Sequence, residues 1–252
     1  ALPISWSKRH TESFLSDNTS QFSQQNNQSN GKTDAISGNF RFEWKIDSLT
    51  TIMYRPSVNF SKGNSNSGSF SETLNNELIP INQKEATNRQ TNDRFSTNGS
   101  LQFNRKLNSK GRNIALRLYY NLDNGNSDRY SLANTYYLKY GDSIKVQNQW
   151  IDNLNRNHEY RVQLTYMEPV FTNHFIEINY SYQHRSSLSE KYAYDWNDLE
   201  DSYSQYPDTA QSDCYKNKYS IHQVGAFFRT IRTNYFYNIG IEIEPQQTTN
   251  QS

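Results

Sequence analysis

The sequence is short of most features that mark a familiar class of protein. It has one cysteine, Cys214, in 252 residues, so no internal disulfide framework holds it. It has no run of about 18 apolar residues, so no helix crosses a membrane. It has no charge excess: 26 Lys and Arg stand against 25 Asp and Glu. That balance leaves no electrostatic footprint for nucleic acid. Hydrophobic residues make up only 33% of the chain and the mean hydropathy is −1.00. A globular domain usually reaches roughly 45–50% with Gly counted. The start, Ala1-Leu-Pro-Ile-Ser-Trp6, has neither the charged nor the apolar region of a signal peptide. The expectation is an excised piece of a longer chain, with removal of a leader as the other reading.

What is abundant is aromatic. The chain has 19 Tyr, 13 Phe and 4 Trp. Disordered chains are equally polar but poor in aromatics. A polar chain rich in aromatics suits a transmembrane β-barrel, whose lumen face and loops are polar and whose outer face carries aromatic girdles.

The residue pattern agrees. From Glu159, the residues Tyr160, Val162, Leu164 and Tyr166 share one face, and Arg161, Gln163 and Thr165 the other. After Pro169, Ile176, Ile178, Tyr180 and Tyr182 alternate with Glu177, Asn179, Ser181 and Gln183. A period of two is the strand period. The same unit recurs at 40–46, 52–60, 95–107, 114–122, 130–140, 144–150, 219–231 and 235–243. Pro56 predicts a bulge or kink, and Pro169 a connection. Residues 1–35 are weakly patterned, with Gln24–Lys32 reading as loop. Residues 246–252 read as a polar tail.

The fold expected is all-β: an antiparallel meander of about ten transmembrane-type strands, part or all of an outer-membrane β-barrel, in a single domain spanning 1–252. Short turns are expected near 47, 109, 141, 170 and 233. Connections are expected at 61–92, 123–129, 153–157 and 185–217. If the short turns share one side, the long loops fall on the other, as in outer-membrane barrels.

Three motifs carry a resemblance. The corner Tyr166-Met-Glu-Pro-Val170, the turn Asn108-Ser-Lys-Gly-Arg112 and the run Trp44-Lys-Ile-Asp-Ser48 leading to Tyr54-Arg-Pro56 stand in sequence order. Together they resemble the Bacteroides-type TonB-dependent-receptor-like outer-membrane β-barrel proteins, over roughly residues 35–245. The resemblance implies a barrel of about 22 strands around an N-terminal plug. It implies nutrient uptake driven from the inner membrane, a TonB-type energy-coupling protein, a surface lipoprotein as partner and a bacterial outer-membrane location. The chain departs from the family in having no recognisable plug or energy-coupling box and in ending on Gln251-Ser252.

Candidate site residues are few. The segment 185–217 mixes aromatics with acids, and Tyr194, Asp195, Trp196, Asp198, Glu200, Asp201 and Tyr203 form the candidate ligand-binding set. Such residues stack on sugar rings and accept their hydroxyls, or hold Ca²⁺ through oxygen. A solvated loop with aromatics packed on each other is the plainer reading. Trp44, Tyr140, Trp150, Tyr166 and Tyr182, at strand ends, are the candidate membrane-interface aromatics. No enzyme motif is present: there is no Gly-x-Ser-x-Gly, phosphate loop or Cys/His pair. The five histidines form no HxxxH or HxH pair, and no metal or other cofactor is expected. The candidate function is a receptor or transporter barrel that binds or passes a glycan, peptide or chelate. The alternative is a soluble all-β carbohydrate-binding or adhesin-like module.

Overall fold

The structure is a computed structural model and describes residues 4–14, 20–138 and 143–251. Every regular element is a strand, and all join one antiparallel meander. The strands are β1 (Ile4–Phe14), β2 (Ser20–Asn39), β3 (Phe42–Lys45), β4 (Thr50–Leu74), β5 (Pro80–Lys106), β6 (Asn113–Tyr137), β7 (Ser143–Phe171), β8 (His174–Asn197), β9 (Ser202–Tyr203), β10 (Asp213–Ile231), β11 (Phe236–Ile243) and β12 (Gln246–Gln251). The order is β1-β2-β4-β5-β6-β7-β8-β10-β11, with β3 on β4, β9 on β8 and β12 on β10. Among the described residues no pairing joins β1 to β11 or β12, so the sheet is open.

Two prolines explain two of the breaks. Asn39 pairs with Ser57 and Phe42 with Tyr54, so β2 and β3 share one register. The gap lies opposite Pro56. Phe40 N–H donates to the Pro56 carbonyl at 3.0 Å, but Pro56 has no N–H to return. Likewise Ile243 pairs with Val224 and Gln246 with Ile221, and His222 N–H donates to the Pro245 carbonyl at 3.0 Å. Thus β2–β3 and β11–β12 are each one strand with a missing rung. The expected bulge at Pro56 does not form, because Pro56 pairs with Gly99 without a shift. Pro169 lies inside β7, beside the register shift at Pro169/Phe171, and the chain reverses after it at 172–173.

The strands are far longer than their sequence pattern. The expected loop 61–92 is strand except at the 75–79 reversal. The expected connections 123–129 and 153–157 lie inside β6 and β7, so four expected strands become two. Of 185–217, only 198–201 and 204–212 lie outside strands. Gln24–Lys32 belongs to β2, and most of the expected tail is β12. Alternation fails as a signal in these stretches because both faces carry Asn, Ser, Gln and Thr. The backbone ladder continues regardless: β6 pairs with β7 without a break from Asn113↔Met167 to Tyr137↔Ser143.

The reversals sort by end. At one end, called lower here, the chain turns at 46–49, 107–112, 172–173 and 232–235. Asp47 Oδ1 accepts from Leu49 N–H and Thr50 N–H in the first. Asn108 Oδ1 accepts from Lys110 and Arg112 N–H in the second, where Gly111 takes φ +106°. At the upper end lie the 75–79 turn, the β6–β7 reversal and the 198–212 segment. The turn expected near 141 falls outside the described residues, and the Tyr137↔Ser143 pair sets that reversal at the upper end, not among the lower turns.

The sheet buries little apolar matter. Among the described residues the buried hydrophobic ones are Leu74, Ala133, Ile151 and Ala193. The accessible surface is 17507 Å², against about 11,600 Å² for a compact monomer of this mass. The alternation is inverted relative to a water-soluble sheet. Glu177 and Ser181 are each 8% exposed, whereas Ile178 is 49% and Tyr180 40% exposed.

Candidate functional site

Paired residues in adjacent antiparallel strands point to the same face, so the registers assign every side chain to a face. One row runs Trp44–Ile52–Phe103–Leu116–Leu164–Tyr180–Val224–Ile243 across eight strands. Neighbouring rows add Tyr54, Leu101, Leu118, Val162 and Tyr182, then Ile114, Tyr166, Ile178, Ala226 and Ile241. Together they form an apolar band on one face, with no charged side chain inside it. In β6 the band runs from Ile114 to Leu122, roughly 26 Å along the strand.

The band crosses the sheet obliquely. Its upper border passes through Phe60, Leu122, Tyr160, Tyr182 and Ile243. The row of Phe60 meets β6 at Asn124, whereas the row of Ile243 meets it at Leu116, eight residues lower. β4 and β11 lie six strand spacings apart. A drop of roughly 26 Å over ~29 Å is a slope of about 42°. The lower border runs from Ile52 to Tyr237. These meet β10 at Val224 and Thr230, six residues apart, for a slope of about 35°.

The band has polar and aromatic borders. Below it, Arg112 donates to Glu168, and the Tyr166 hydroxyl donates to the same carboxylate. Toward its upper border the Tyr160 ring lies 6.0 Å from Tyr182 and 5.2 Å from His184, and Tyr182 lies 4.8 Å from His222. Tyr120 lies over Gly99, where a β-carbon would meet the ring at 2.8 Å, and its hydroxyl is 3.1 Å from that of Tyr54. Of the expected interface aromatics, Tyr166 and Tyr182 lie at the band's borders. Trp44 lies near the lower border. Trp150 stands ten residues above Tyr160 on β7, well clear of the band. Tyr140 lies outside the described residues. Sequence reading missed Tyr120, Tyr160, His184 and His222 as residues near the upper border; their alternation was visible but their common level needed the registers.

The opposite face is a hydrogen-bonded polar surface. Arg161 Nε donates to Gln183 Oε1, and Gln183 Nε2 donates to Glu159. Ser181 donates to Gln223, and Gln223 to Glu242 at 2.8 Å. Arg229 pairs with Glu177 at 2.7 Å, and Asn179 donates to the same carboxylate.

Above the band stands the sheet's polar extension, which holds the expected ligand-binding set. The set is divided. Tyr194 stacks on Trp150 with centroids 4.7 Å apart, and Trp196 meets Tyr203 edge-on at 5.1 Å. Tyr203 also meets Tyr130 at 5.8 Å and donates to Asn148. These aromatics share the face of the band. Asp195 points to the other face and accepts from Gln149 at 2.8 Å. Asp198, Glu200 and Asp201 are exposed on the 198–201 turn. The structure therefore gathers the aromatics and leaves the carboxylates apart.

The 204–212 segment folds against the polar face. Asp208 N–H donates to the Ala193 carbonyl at 2.7 Å, and Ala193 N–H donates to Ser212 Oγ. A chain of amides follows: Gln147 donates to Gln149 and Gln211, and Gln211 donates to Asp208. That last bond and the Ala210 N–H hold the Asp208 carboxyl below its ordinary range. Asp152 moves the other way: burial raises it, and Asp128, directly opposite, and Glu190 raise it further. Three of the histidines face hydroxyls, His174 on Thr230, His184 on Ser220 and His222 on Tyr180. Among the described residues no group of three or more His, Cys, Asp or Glu is arranged to hold a metal ion. No family model, curated protein or solved structure matches the chain.

Proposed function

We propose that this chain is a wall segment of a bacterial outer-membrane β-barrel of the receptor or transporter type, binding or passing a nutrient. The observation that carries the reading is the oblique, inverted band. A sheet in water turns its apolar face inward; this one turns it outward over a strip of bounded height. In a barrel whose strands tilt by ~35–45°, the membrane plane cuts the hydrogen-bond rows at that same angle. The slopes of about 42° and 35° derived from the two borders fall within that range. The outer apolar band of such barrels is ≈ 25 Å tall. A span of roughly 26 Å along a strand tilted by 40° is ~20 Å in height, or more with the border tyrosines counted. The polar face with its Arg, Glu and amide ladder is suited to line a lumen or contact a plug.

The resemblance to TonB-dependent-receptor-like barrels adds direction. Its motif residues Asn108, Arg112, Tyr166 and Glu168 meet at the lower end, where short periplasmic turns belong. The upper sheet then stands outside the cell and meets ligand or a surface lipoprotein. Energy-coupled transport is part of the proposal through the resemblance alone.

The test is to express the chain and measure folding with and without amphiphile. A folded species that requires micelles or liposomes and migrates heat-modifiably on gels is the expected result. A folded monomer in plain buffer would overturn the membrane reading in favour of a soluble binding module.

A further inference from the structure

The face of the band bears a second feature well above it. In β6, Tyr130 and Leu132 stand eight and ten residues beyond Leu122, roughly 26–33 Å along the strand. There the sheet forms an open cavity of 770 Å³ across β1, β2, β4, β5 and β6, reaching Asn148 of β7. Its floor is Gly68, which pairs with Gln28 on one side and Thr87 on the other. A β-carbon built on Gly68 would meet nothing within 4 Å, so the space above it is clear.

The rim has a consistent chemistry. Trp6, Phe70 and Tyr130 supply aromatic surfaces; Asn26, Gln28, Asn30, Asn66 and Asn148 supply amides that both donate and accept. Lys8 and Arg89 stand at opposite corners, three strand spacings apart and offset by four residues, since the row of Lys8 meets β5 at Glu85, roughly 20 Å on the diagonal. Among the described residues neither lies within ion-pair distance of a carboxylate. Among the described residues no carboxylate lines the cavity; on the same face just outside the lining, Glu85 lies opposite Phe70, Glu72 stands two residues from Phe70 on β4, and Asp128, which accepts from Trp150 Nε1, stands two residues from Tyr130 on β6 and diagonal to Arg89. The breadth from Trp6 on β1 to Leu132 on β6 is four strand spacings, ~19 Å. A second cavity, of 370 Å³, shares Leu132 and Asn148 with the first and continues toward Trp196; its lining carries Lys145 but also Asp195 and Asp198, so the carboxylate-free surface ends with the first cavity.

We infer that this cavity binds an extended anionic saccharide. Flat aromatic surfaces stack on sugar faces, amides satisfy vicinal hydroxyls, and two cations without an ion pair, on a lining that holds no carboxylate, select acidic groups spaced along a chain. A compact ligand would leave one cation unused. A peptide strand would seek a sheet edge rather than the middle of a paired face. The site is distinct from any lumen and does not depend on the membrane reading. Binding is read in whichever medium the chain folds, so failure here is separable from failure there.

The experiment uses polygalacturonate as a carboxylated probe and dextran sulfate as a sulfated one. Fully methyl-esterified pectin and dextran are the neutral controls. The expected result is binding to at least one anionic probe, weakened by salt and at least tenfold weaker to its neutral counterpart. Gly68→Trp puts an indole into the cavity from a position where a β-carbon meets nothing within 4 Å and should reduce binding at least tenfold; Arg89→Gln should do the same by removing a cation from an exposed position. Unchanged strand content in each variant excludes misfolding. No binding to either anionic probe, equal binding to the neutral polymers, or full binding by folded Gly68→Trp would overturn the inference.

Discussion

Leu164→Arg is the perturbation that most directly probes the oblique band. Leu164 lies near the centre of the band in β7, between Tyr166 and Val162, and is 39% exposed. If that exposure faces lipid, an arginine there should cost ~2–4 kcal/mol, falling to ~0–1 kcal/mol near the interfaces. If it faces water, the cost should stay within about ±0.5 kcal/mol. The slope sharpens the test. Ile52 and Ile243 share a hydrogen-bond row with Leu164, each three strand spacings away on opposite sides. With strands tilted by roughly 40°, three spacings displace them by ~9 Å along the membrane normal, one down and one up. Ile52→Arg and Ile243→Arg should therefore cost much less than Leu164→Arg, although all three occupy one row. Thr165→Arg, on the polar face with Glu177 on its diagonal, should be nearly neutral. The assay is urea-dependent folding into liposomes of two chain lengths, the thinner bilayer narrowing the sensitive zone. Equal costs along the row would refute the oblique band, and a neutral Leu164→Arg would refute lipid contact.

Further outcomes are expected elsewhere. Asp152→Asn should stabilise the upper sheet by ~0.2–1 kcal/mol, because it removes a like-charge pair across two strands. The raised Asp152 value means the folded state holds the proton more tightly than the unfolded chain, so the penalty is absent below the unfolded carboxyl range and grows as pH rises through the folded value; the advantage of Asn in urea titrations should vanish in acid. Asp47 behaves oppositely: its carboxyl is held low, first by the Leu49 N–H and also by Thr50, against a smaller opposing effect of burial. Its contribution is present above the unfolded value and lost as pH falls through the folded one, so Asp47→Ala should increase amide exchange at the 46–49 turn at neutral pH and not in strong acid. Tyr120→Phe should cost ~0.5–1.5 kcal/mol by removing the hydroxyl contact with Tyr54, and the double variant with Tyr54→Phe should show that the two losses are not additive.

The sequence disclosed the fold class because alternation is loudest where the two faces meet different surroundings. Tyr160 to Tyr166 and Ile176 to Tyr182 could be assigned to faces without coordinates. The same reasoning failed from Lys62 to Leu74 and from Asn124 to Ser127, where both faces are polar and period two leaves no trace. There the partner strand, not the residue pattern, extends β4 and β6. The obliquity of the band was hidden for a related reason: each strand reports its own apolar stretch, but only the registers relate one stretch to the next. The aromatics of the 185–217 segment were recognised, yet their union with Trp150 and Tyr130 required strands far apart in sequence. The cavity over Gly68 had no signal at all, since an Asn- and Ser-rich stretch with a glycine reads as a loop.

Pro245 has a consequence for assembly. Its carbonyl accepts from His222, so residue 245 is one of those aimed at β10, and the missing N–H falls on the satisfied side of the strand. The outward-aimed positions of β11–β12 alternate with it, among them Gly240, Glu242, Glu244 and Gln246, and none of these is proline. Proline on an edge normally discourages a newcomer; this one is turned the wrong way to do so. The border of the sheet is in effect a template left switched on, and any extended chain of matching register finds a continuous line of donors and acceptors there.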